Sequence, residues 1–259
     1  MDGGVSGSAA GWVGVASLTT LPTLTTSATA ASPAGTYPIT AGQAASADYT
    51  ITYNAGTLNV AKAPLTMTAA DATKPLGAPN PAFSATYSGF VLGQGPEVLT
   101  SVTFSTPATD SSPVGVYPIT PVASSPNYDI KFVNGSLSIS YGICLLYDPA
   151  KPVKSGATIP IQLQLCGATG NNQSSPSVVL NAHAVTLIST NVSGDREDAG
   201  NANPDQNFRF IGMQGGSYIF SLKTDGLVTG TYNLTFGVTD DPATHDVRLL
   251  YTRPDCRHA

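Results

Sequence analysis

An all-β fold is predicted for this chain: small tandem β modules followed by an Ig-like β-sandwich. Three observations predict it. Charged residues make up only 10% of the 259 residues, against roughly 25% in an ordinary soluble domain. Glycine and proline are abundant, at 26 and 20; both are poor in helix interiors and good in turns. Short segments also alternate large and polar residues with the period of a strand.

The modules show themselves as a repeat. Ser32-Pro33-Ala34-Gly35-Thr36-Tyr37-Pro38-Ile39-Thr40 recurs 80 residues later as Ser112-Pro113-Val114-Gly115-Val116-Tyr117-Pro118-Ile119-Thr120. Tyr49-Thr50-Ile51 and Gly56-Thr57-Leu58 recur 79 residues later as Tyr128-Asp129-Ile130 and Gly135-Ser136-Leu137. Upstream, Gly11-Trp12-Val13 answers Gly89-Phe90-Val91. A period this long marks a domain repeat rather than a solenoid unit. The second copy opens with Ala63-Pro64-Leu65-Thr66-Met67-Thr68, and nothing ahead of Gly11 matches it. The first copy is therefore expected to lack its opening strand and to be the least ordered part, and the chain to be a fragment. Four segments follow: 1–61, an incomplete first repeat; 62–140, a complete second repeat; 141–252, the sandwich; and 253–259, a tail.

Within the repeat, residues 49–53 alternate as a strand. Asn54-Ala55-Gly56 then reads as a hairpin turn into Thr57-Leu58-Asn59-Val60. The second copy predicts the same hairpin around Asn134-Gly135. Pro38 and Pro118 lack a ladder donor and suit an edge strand or a bulge. A short helical turn is expected within residues 94–100, which keeps a β-grasp variant open for the repeat module. Beyond Tyr141 the pattern changes. Ile159, Ile161, Leu163 and Leu165 alternate with polar or small residues, as do Tyr232, Leu234, Phe236 and Val238. Residues 218–222 and 247–251 are further strands. About seven short strands in such a span are the footprint of an Ig-like sandwich.

The repeat resembles the MBG family of bacterial surface-protein modules. The resemblance is carried by Ala63-Pro64-Leu65-Thr66, Gly77-Ala78-Pro79-Asn80-Pro81-Ala82-Phe83, Tyr87-Ser88-Gly89-Phe90, the second-copy Ser-Pro-Val-Gly-Val-Tyr-Pro-Ile run, and Asn134-Gly135-Ser136-Leu137. Lys74-Pro75-Leu76-Gly77 departs from it, where the family has an aromatic before glycine. The C-terminal part is similar to the PxKF family through Val153-Lys154-Ser155-Gly156-Ala157-Thr158-Ile159-Pro160, Asp198-Ala199-Gly200-Asn201-Ala202-Asn203-Pro204 and Gly230-Thr231-Tyr232. Its naming motif is altered to Pro160-Ile161-Gln162-Leu163. The two resemblances imply repeated modules of exported proteins, extracellular, secreted or on the cell surface, with no known catalytic centre.

Charge and motif content narrow the function. Net charge is −5. The one basic cluster, Arg253, Arg257 and His258, is at the extreme C-terminus, so nucleic-acid binding is disfavoured. No apolar run reaches the roughly 18 residues of a spanning helix. The first residues hold neither the basic nor the apolar region of a signal peptide. His183, His245 and His258 are scattered, and no GxSxG elbow occurs. The two glutamates, Glu97 and Glu197, lie in different modules, against a glycosidase pair. No enzyme activity and no cofactor are expected.

Cys144 and Cys166 lie on consecutive apolar strands of the last module and are expected to form a disulfide if those strands are neighbours. Cys256 is then a lone tail cysteine. Asp195, Glu197, Asp198, Asn201, Asn203 and Asp205 gather oxygens of the kind calcium takes. Their spacing is not that of an EF-hand, and such residues are ordinary turn formers, so no metal is assigned. Trp12, Tyr87 and Phe90 are the aromatics to weigh for sugar stacking, against core packing as the default. The leading reading is structural display modules whose partners are neighbouring modules of a longer chain, joined stiffly through Val60-Ala61-Lys62-Ala63-Pro64. An adhesin-like module for a glycan or extracellular protein, and an accessory domain beside a catalytic one, stay open.

Overall fold

The computed structural model describes residues 18–154, 158–188, 192–194, 204–212, 215–224 and 227–252. Among them there is no α-helix, and strands carry the fold. The first repeat holds β1 (Thr23–Thr26), β2 (Gly35–Gly42) and β3 (Gly56–Val60), an antiparallel sheet in the order β1-β2-β3. The second repeat holds β4 (Ala63–Ala69), β5 (Ala72–Pro75), β6 (Ala85–Ser88), β7 (Thr100–Ser105), β8 (Gly115–Ser124), β9 (Tyr128–Val133) and β10 (Gly135–Ser140). Its strands form two sheets, β5-β10-β8-β7 and β6-β4-β9.

The sequence repeat is a structural one, residue by residue. Gly35 faces Val60 and Tyr37 faces Leu58, as Gly115 faces Ile139 and Tyr117 faces Leu137. The Tyr37 hydroxyl donates to the Pro33 carbonyl at 2.9 Å, and Tyr117 donates to Pro113 at 3.0 Å. The preceding turns match as well: Thr29 N donates to Ser32 Oγ at 2.7 Å, and Thr109 N to Ser112 Oγ at 2.8 Å.

Three local expectations need correction. Residues 49–53 form no strand, although their counterpart β9 does. β9 is held beside β4, and among the described residues the first repeat has no strand of that kind. Without a neighbour the alternating pattern has nothing to pair with, and Tyr53 donates to the Ala44 carbonyl at 2.9 Å instead. Nor is Asn134-Gly135 a hairpin turn, because β9 and β10 belong to different sheets. At Gly135 the chain crosses so close to β4 that a Cβ would lie 2.6 Å from the Ala69 carbonyl oxygen. Glycine serves close approach there, not a tight turn. Pro38 and Pro118 lie in β2 and β8, each flanked by two strands, rather than on edges. For Pro38 the ladder with β1 begins only at Ile39, so the missing donor falls where β3 alone runs alongside. The helical turn of residues 94–100 is three residues of 3-10 helix, Pro96–Val98.

Burial separates the two repeats. In β4 every second residue, Leu65, Met67 and Ala69, is buried, and in β10 Leu137 and Ile139 are 0% exposed. In β3 the counterpart of Leu137, Leu58, is 36% exposed. The second repeat keeps two small cores. One gathers Leu65, Leu99 and Tyr128 with Tyr87 and Phe90; the other gathers Ala69, Ile119, Leu137 and Ile139 with Phe83 and Phe104.

By packing, the chain divides into two compact units. One is Met1–Thr66, Tyr87–Val102 and Ala123–Lys131; the other is Met67–Thr86, Thr103–Val122 and Phe132–Ala259. The division falls inside β4, β6, β7, β8 and β9, so each small core of the second repeat lies wholly within one unit.

The second unit ends in a β-sandwich. Its strands are β11 (Gly142–Leu145), β12 (Val153–Lys154), β13 (Ile159–Cys166), β14 (Leu180–Leu187), β15 (Val192–Gly194), β16 (Arg209–Ile211), β17 (Ser217–Leu222), β18 (Gly230–Val238) and β19 (Thr244–Thr252). They order as β11-β13-β17-β16 and β12-β19-β18-β14-β15. Alternate residues turn inward from β13, β17, β18 and β19, as the period-two pattern requires. They meet in one core that includes Ile161, Leu163, Phe220, Leu234, Phe236 and Tyr251.

Candidate functional site

Among the described residues the sandwich carries an apolar cleft of about 340 Å³. Its floor is Ile159 and Ile161 of β13 and Leu249 of β19, which belong to different sheets, so the cleft opens where the sandwich gapes. Its wall is the 147–152 loop with Tyr147, Pro149 and Pro152, and Asp148 and Lys151 supply its charge. The loop is shaped by an Asx turn in which Asp148 accepts from Ala150 N at 2.9 Å. The Tyr147 hydroxyl is used up internally, donating to the Arg248 carbonyl at 2.9 Å. Burial pushes Tyr147 up to about 12, so it stays a neutral phenol. The lining holds no histidine, cysteine or serine. What it offers is a dry surface for an apolar or ring-shaped group.

A second cluster sits at the entry to the sandwich. Asp241, in the turn after β18, accepts from Tyr141 N at 2.8 Å, from His245 Nε2 at 3.0 Å and from Ala243 N at 2.9 Å. The Asp241 side chain is fully buried and that of His245 nearly so. A buried carboxylate is tolerated when its lone pairs are filled this way. Burial first, then the charges of Asp241 and Asp240, raise the Tyr141 hydroxyl. The cluster ties the segment entering the sandwich to the β18–β19 turn, which is a structural task.

The joint between the repeats is also built from specific residues. Asn127 Oδ1 accepts from Ala34 N of the first repeat at 3.1 Å, and the Asn127 carbonyl accepts from Ala63 N at 2.9 Å. Lys62 Nζ donates to the Ser125 carbonyl at 3.3 Å. Beside these bonds lies a hollow of about 250 Å³ whose lining includes Ala34, Val60, Leu92, Gln94 and Tyr128. The Tyr128 hydroxyl donates to Gln94 Oε1 at 2.5 Å and accepts from Val91 N at 3.1 Å. Into the sandwich one bond crosses at Leu76: its carbonyl accepts from Ala168 N at 2.7 Å, while Leu76 N donates to the Ser140 carbonyl of its own repeat at 2.8 Å.

The residues singled out from sequence fall as follows. Cys144 of β11 and Cys166 of β13 lie on adjacent antiparallel strands, offset by two register positions, with Cα atoms 6.0 Å apart and their sulfurs joined. Asp205 is described, with left-handed backbone (φ 52°) in a short 3-10 turn, whereas Asp195, Glu197, Asp198, Asn201 and Asn203 lie outside the described residues. Among the described residues no cluster of metal-ligating side chains occurs. Phe90 packs tilted against Tyr87 (ring centroids 5.6 Å) and edge to face with Tyr128 (5.5 Å), in a core rather than on an open platform. Trp12, Cys256, Arg253, Arg257, His258 and Glu197 lie outside the described residues. Glu97 caps its own turn by accepting from Gly95 N at 2.7 Å. His183 is exposed on β14 and far in sequence from His245, which is buried against Asp241. Sequence reasoning missed the cleft, Asp241 and Asn127, since each depends on partners distant along the chain.

The family model of the MBG domain (YGX type) matches residues 2–59 and again 65–138, just over half of the chain. The chain belongs to the MBG family. The second MBG match spans nearly all of β4 to β10. MBG membership fits a structural or binding module of a surface protein. No curated protein matches the chain. Among solved structures it is similar to extracellular domains 3–5 of Drosophila OTK, at 13% identity and a TM-score of 0.32, covering 85% of this chain and 70% of that one. It is also similar to titin domains I67–I69, at 10% identity and a TM-score of 0.26, covering 85% and 74%. The Yersinia pseudotuberculosis adhesin InvE aligns at 13% identity and a TM-score of 0.28, covering 89% and 58%. At these values the likeness is one of all-β architecture and carries no functional argument. No helix among the described residues is long and apolar enough to cross a membrane.

Proposed function

We propose that the chain is a non-catalytic run of spacing and display modules of a bacterial secreted or cell-surface protein, with a PxKF-like sandwich after its MBG repeats. The observation that carries this reading is the stapled joint at Asn127, which bonds to both repeats across a linker of almost no length. A hinge meant to swing would leave those backbone groups to water; here they are satisfied across the joint. The segments 1–61, 62–140 and 141–252 act as successive spacers, and Cys144–Cys166 locks the first strand of the last in an oxidising compartment. The test is backbone NMR relaxation on the full chain. Asn127→Ala is expected to shorten the rotational correlation time of residues 18–60 relative to wild type. An unchanged value would remove the spacer reading.

A second reading, an adhesin-like module for a glycan or extracellular protein, is favoured by the apolar cleft at Tyr147. A binding screen against glycans and matrix proteins, with calcium and with EDTA, tests it. A saturable hit lost in Ile159→Asp supports binding, and a blank screen from a folded sample supports the spacer.

A further inference from the structure

We propose that the hollow of about 250 Å³ beside the Asn127 joint binds the acetamido group of a neutral, N-acetylated sugar. All of its lining falls within the first compact unit. It is built from the 30–34 turn of the first repeat, from the linker after β3, and from Val91, Leu92, Gln94, Asn127 and Tyr128 of the second repeat. Two side-chain amides in it are oriented by the protein itself. Gln94 Oε1 accepts from the Tyr128 hydroxyl at 2.5 Å, and that hydroxyl accepts from Val91 N at 3.1 Å, which directs its own proton to Gln94. Asn127 Oδ1 accepts from Ala34 N at 3.1 Å. An amide whose oxygen is used in this way has its N–H groups left to offer. Among the described residues neither Gln94 Nε2 nor Asn127 Nδ2 donates to the protein, and neither is sealed from solvent.

The rest of the lining selects the ligand. Among the described residues no charged side chain lines the hollow. Its other walls are apolar, with Val60, Val91, Leu92 and Pro33 beside small alanines. Leu92 is 62% exposed and has a left-handed backbone (φ 56°), a conformation a leucine rarely adopts unless the surrounding structure holds it. Two sets of uncharged donors match a neutral acceptor, and a carbonyl oxygen has two lone pairs to receive them. Apolar walls match a methyl group beside that carbonyl, and an acetamido group joins the two. A carboxylate or phosphate would enter with no counter-charge to meet it, at a large desolvation cost. A sugar with only hydroxyls would set a polar group against the apolar wall. The volume is below the roughly 300–1,000 Å³ of a pocket for a drug-sized ligand, so it suits one ring rather than a chain of them. The inference rests on the binding reading of the modules but on none of the residues named for it. The Tyr147 cleft lies in the second unit and this hollow in the first.

The test titrates the 15N-labelled full chain with N-acetylglucosamine and, separately, with glucose. Saturable shifts are expected at residues 30–34 and 91–94 and at the side-chain amides of Gln94 and Asn127, with glucose at least about tenfold weaker. Gln94→Glu keeps an oxygen for Tyr128, and Asn127→Asp keeps one for Ala34 N, while each removes the free donors. Each variant is expected to weaken the acetylated sugar at least about tenfold, and either one decides if the other does not fold. Equal binding by glucose would overturn the proposal, as would undiminished binding by a folded variant. Tighter binding of N-acetylalanine methylamide than of the sugar would replace it, because the occupant is then a peptide. Sugar binding that shifts the Tyr147 cleft instead, and is lost in Ile159→Asp, would remove this site and keep the binding reading. No saturable binding at either place would remove both.

Discussion

At Gly135 an added methyl group would lie 2.6 Å from the Ala69 carbonyl oxygen and 2.8 Å from that of Ala70. Both are backbone atoms of the β4 segment and cannot swing aside, so Gly135→Ala must displace a strand. The expected cost is about 1–3 kcal/mol in a urea or thermal melt. Gly77 makes the comparison: it has a positive φ of 83° but nothing within 4 Å, so Gly77→Ala meets only backbone strain of about 1–2 kcal/mol and no collision. A larger loss at Gly77 than at Gly135 would refute the crossing argument. Asp71 shows a charge effect at the same scale. Its carboxylate accepts from Ser136 Oγ at 2.7 Å and Ser136 N at 2.8 Å. The side-chain bond first, then the backbone bond, holds its pKa below the usual carboxylate value. A lowered folded pKa adds stability above the unfolded value, and that stability is lost as pH falls through the folded one. Asp71→Asn is therefore expected to flatten the acid side of the stability profile and leave the neutral side's slope unchanged, read by melts across acidic pH.

Among the elements, the ones legible in sequence are those whose partners do not matter to the pattern. β13, β17, β18 and β19 alternate so regularly that each reads as a strand whichever sheet it joins. Residues 49–53 alternate as well and still form no strand, because pairing needs a neighbour that the pattern itself does not encode. The hairpin signal at Asn134-Gly135 misleads for a related reason: the same two residues that suit a tight turn also suit a crossing between sheets. Asp241 is illegible since it meets Tyr141 from 100 residues away. Replacing it with Ala leaves Tyr141 N, Ala243 N and His245 without their acceptor, and is expected to cost the sandwich about 3 kcal/mol or more. Asp241→Asn, which keeps an acceptor oxygen, is expected to lose less. The Tyr147 loop gives a pH prediction of opposite sign to Asp71. Burial raises this phenol to about 12, so its contribution is intact below the ordinary value of about 10 and falls away as pH rises toward the folded one. Absorbance titration of tyrosinate is expected to show a late-titrating component that is reduced by one residue in Tyr147→Phe. No difference between wild type and Tyr147→Phe would mean that this phenol is not buried.

For the whole molecule, the modules of the sequence and the compact units of the structure do not coincide. The repeat boundary falls near residue 62, yet the second repeat is divided across its own strands. The cause is visible in its cores. Leu65, Leu99 and Tyr128 form one cluster, bonded through Asn127 to the first repeat, while Ile119, Leu137 and Ile139 form another in the unit that includes the sandwich. Neither cluster is large, and a small core gains from whatever it packs beside. Regions that open together are expected to follow such packing rather than sequence modules. Hydrogen exchange on the full chain therefore has a specific expected outcome. Amides of residues 123–131 are expected to open with those of residues 56–66, and amides of residues 135–140 with the sandwich strand β13. Asn127→Ala is expected to speed exchange in the first group and leave the second unchanged. Uniform protection from residue 63 to residue 140, with the first repeat opening separately, would mean that the second repeat folds as one unit and that its two cores are coupled more strongly to each other than to their neighbours.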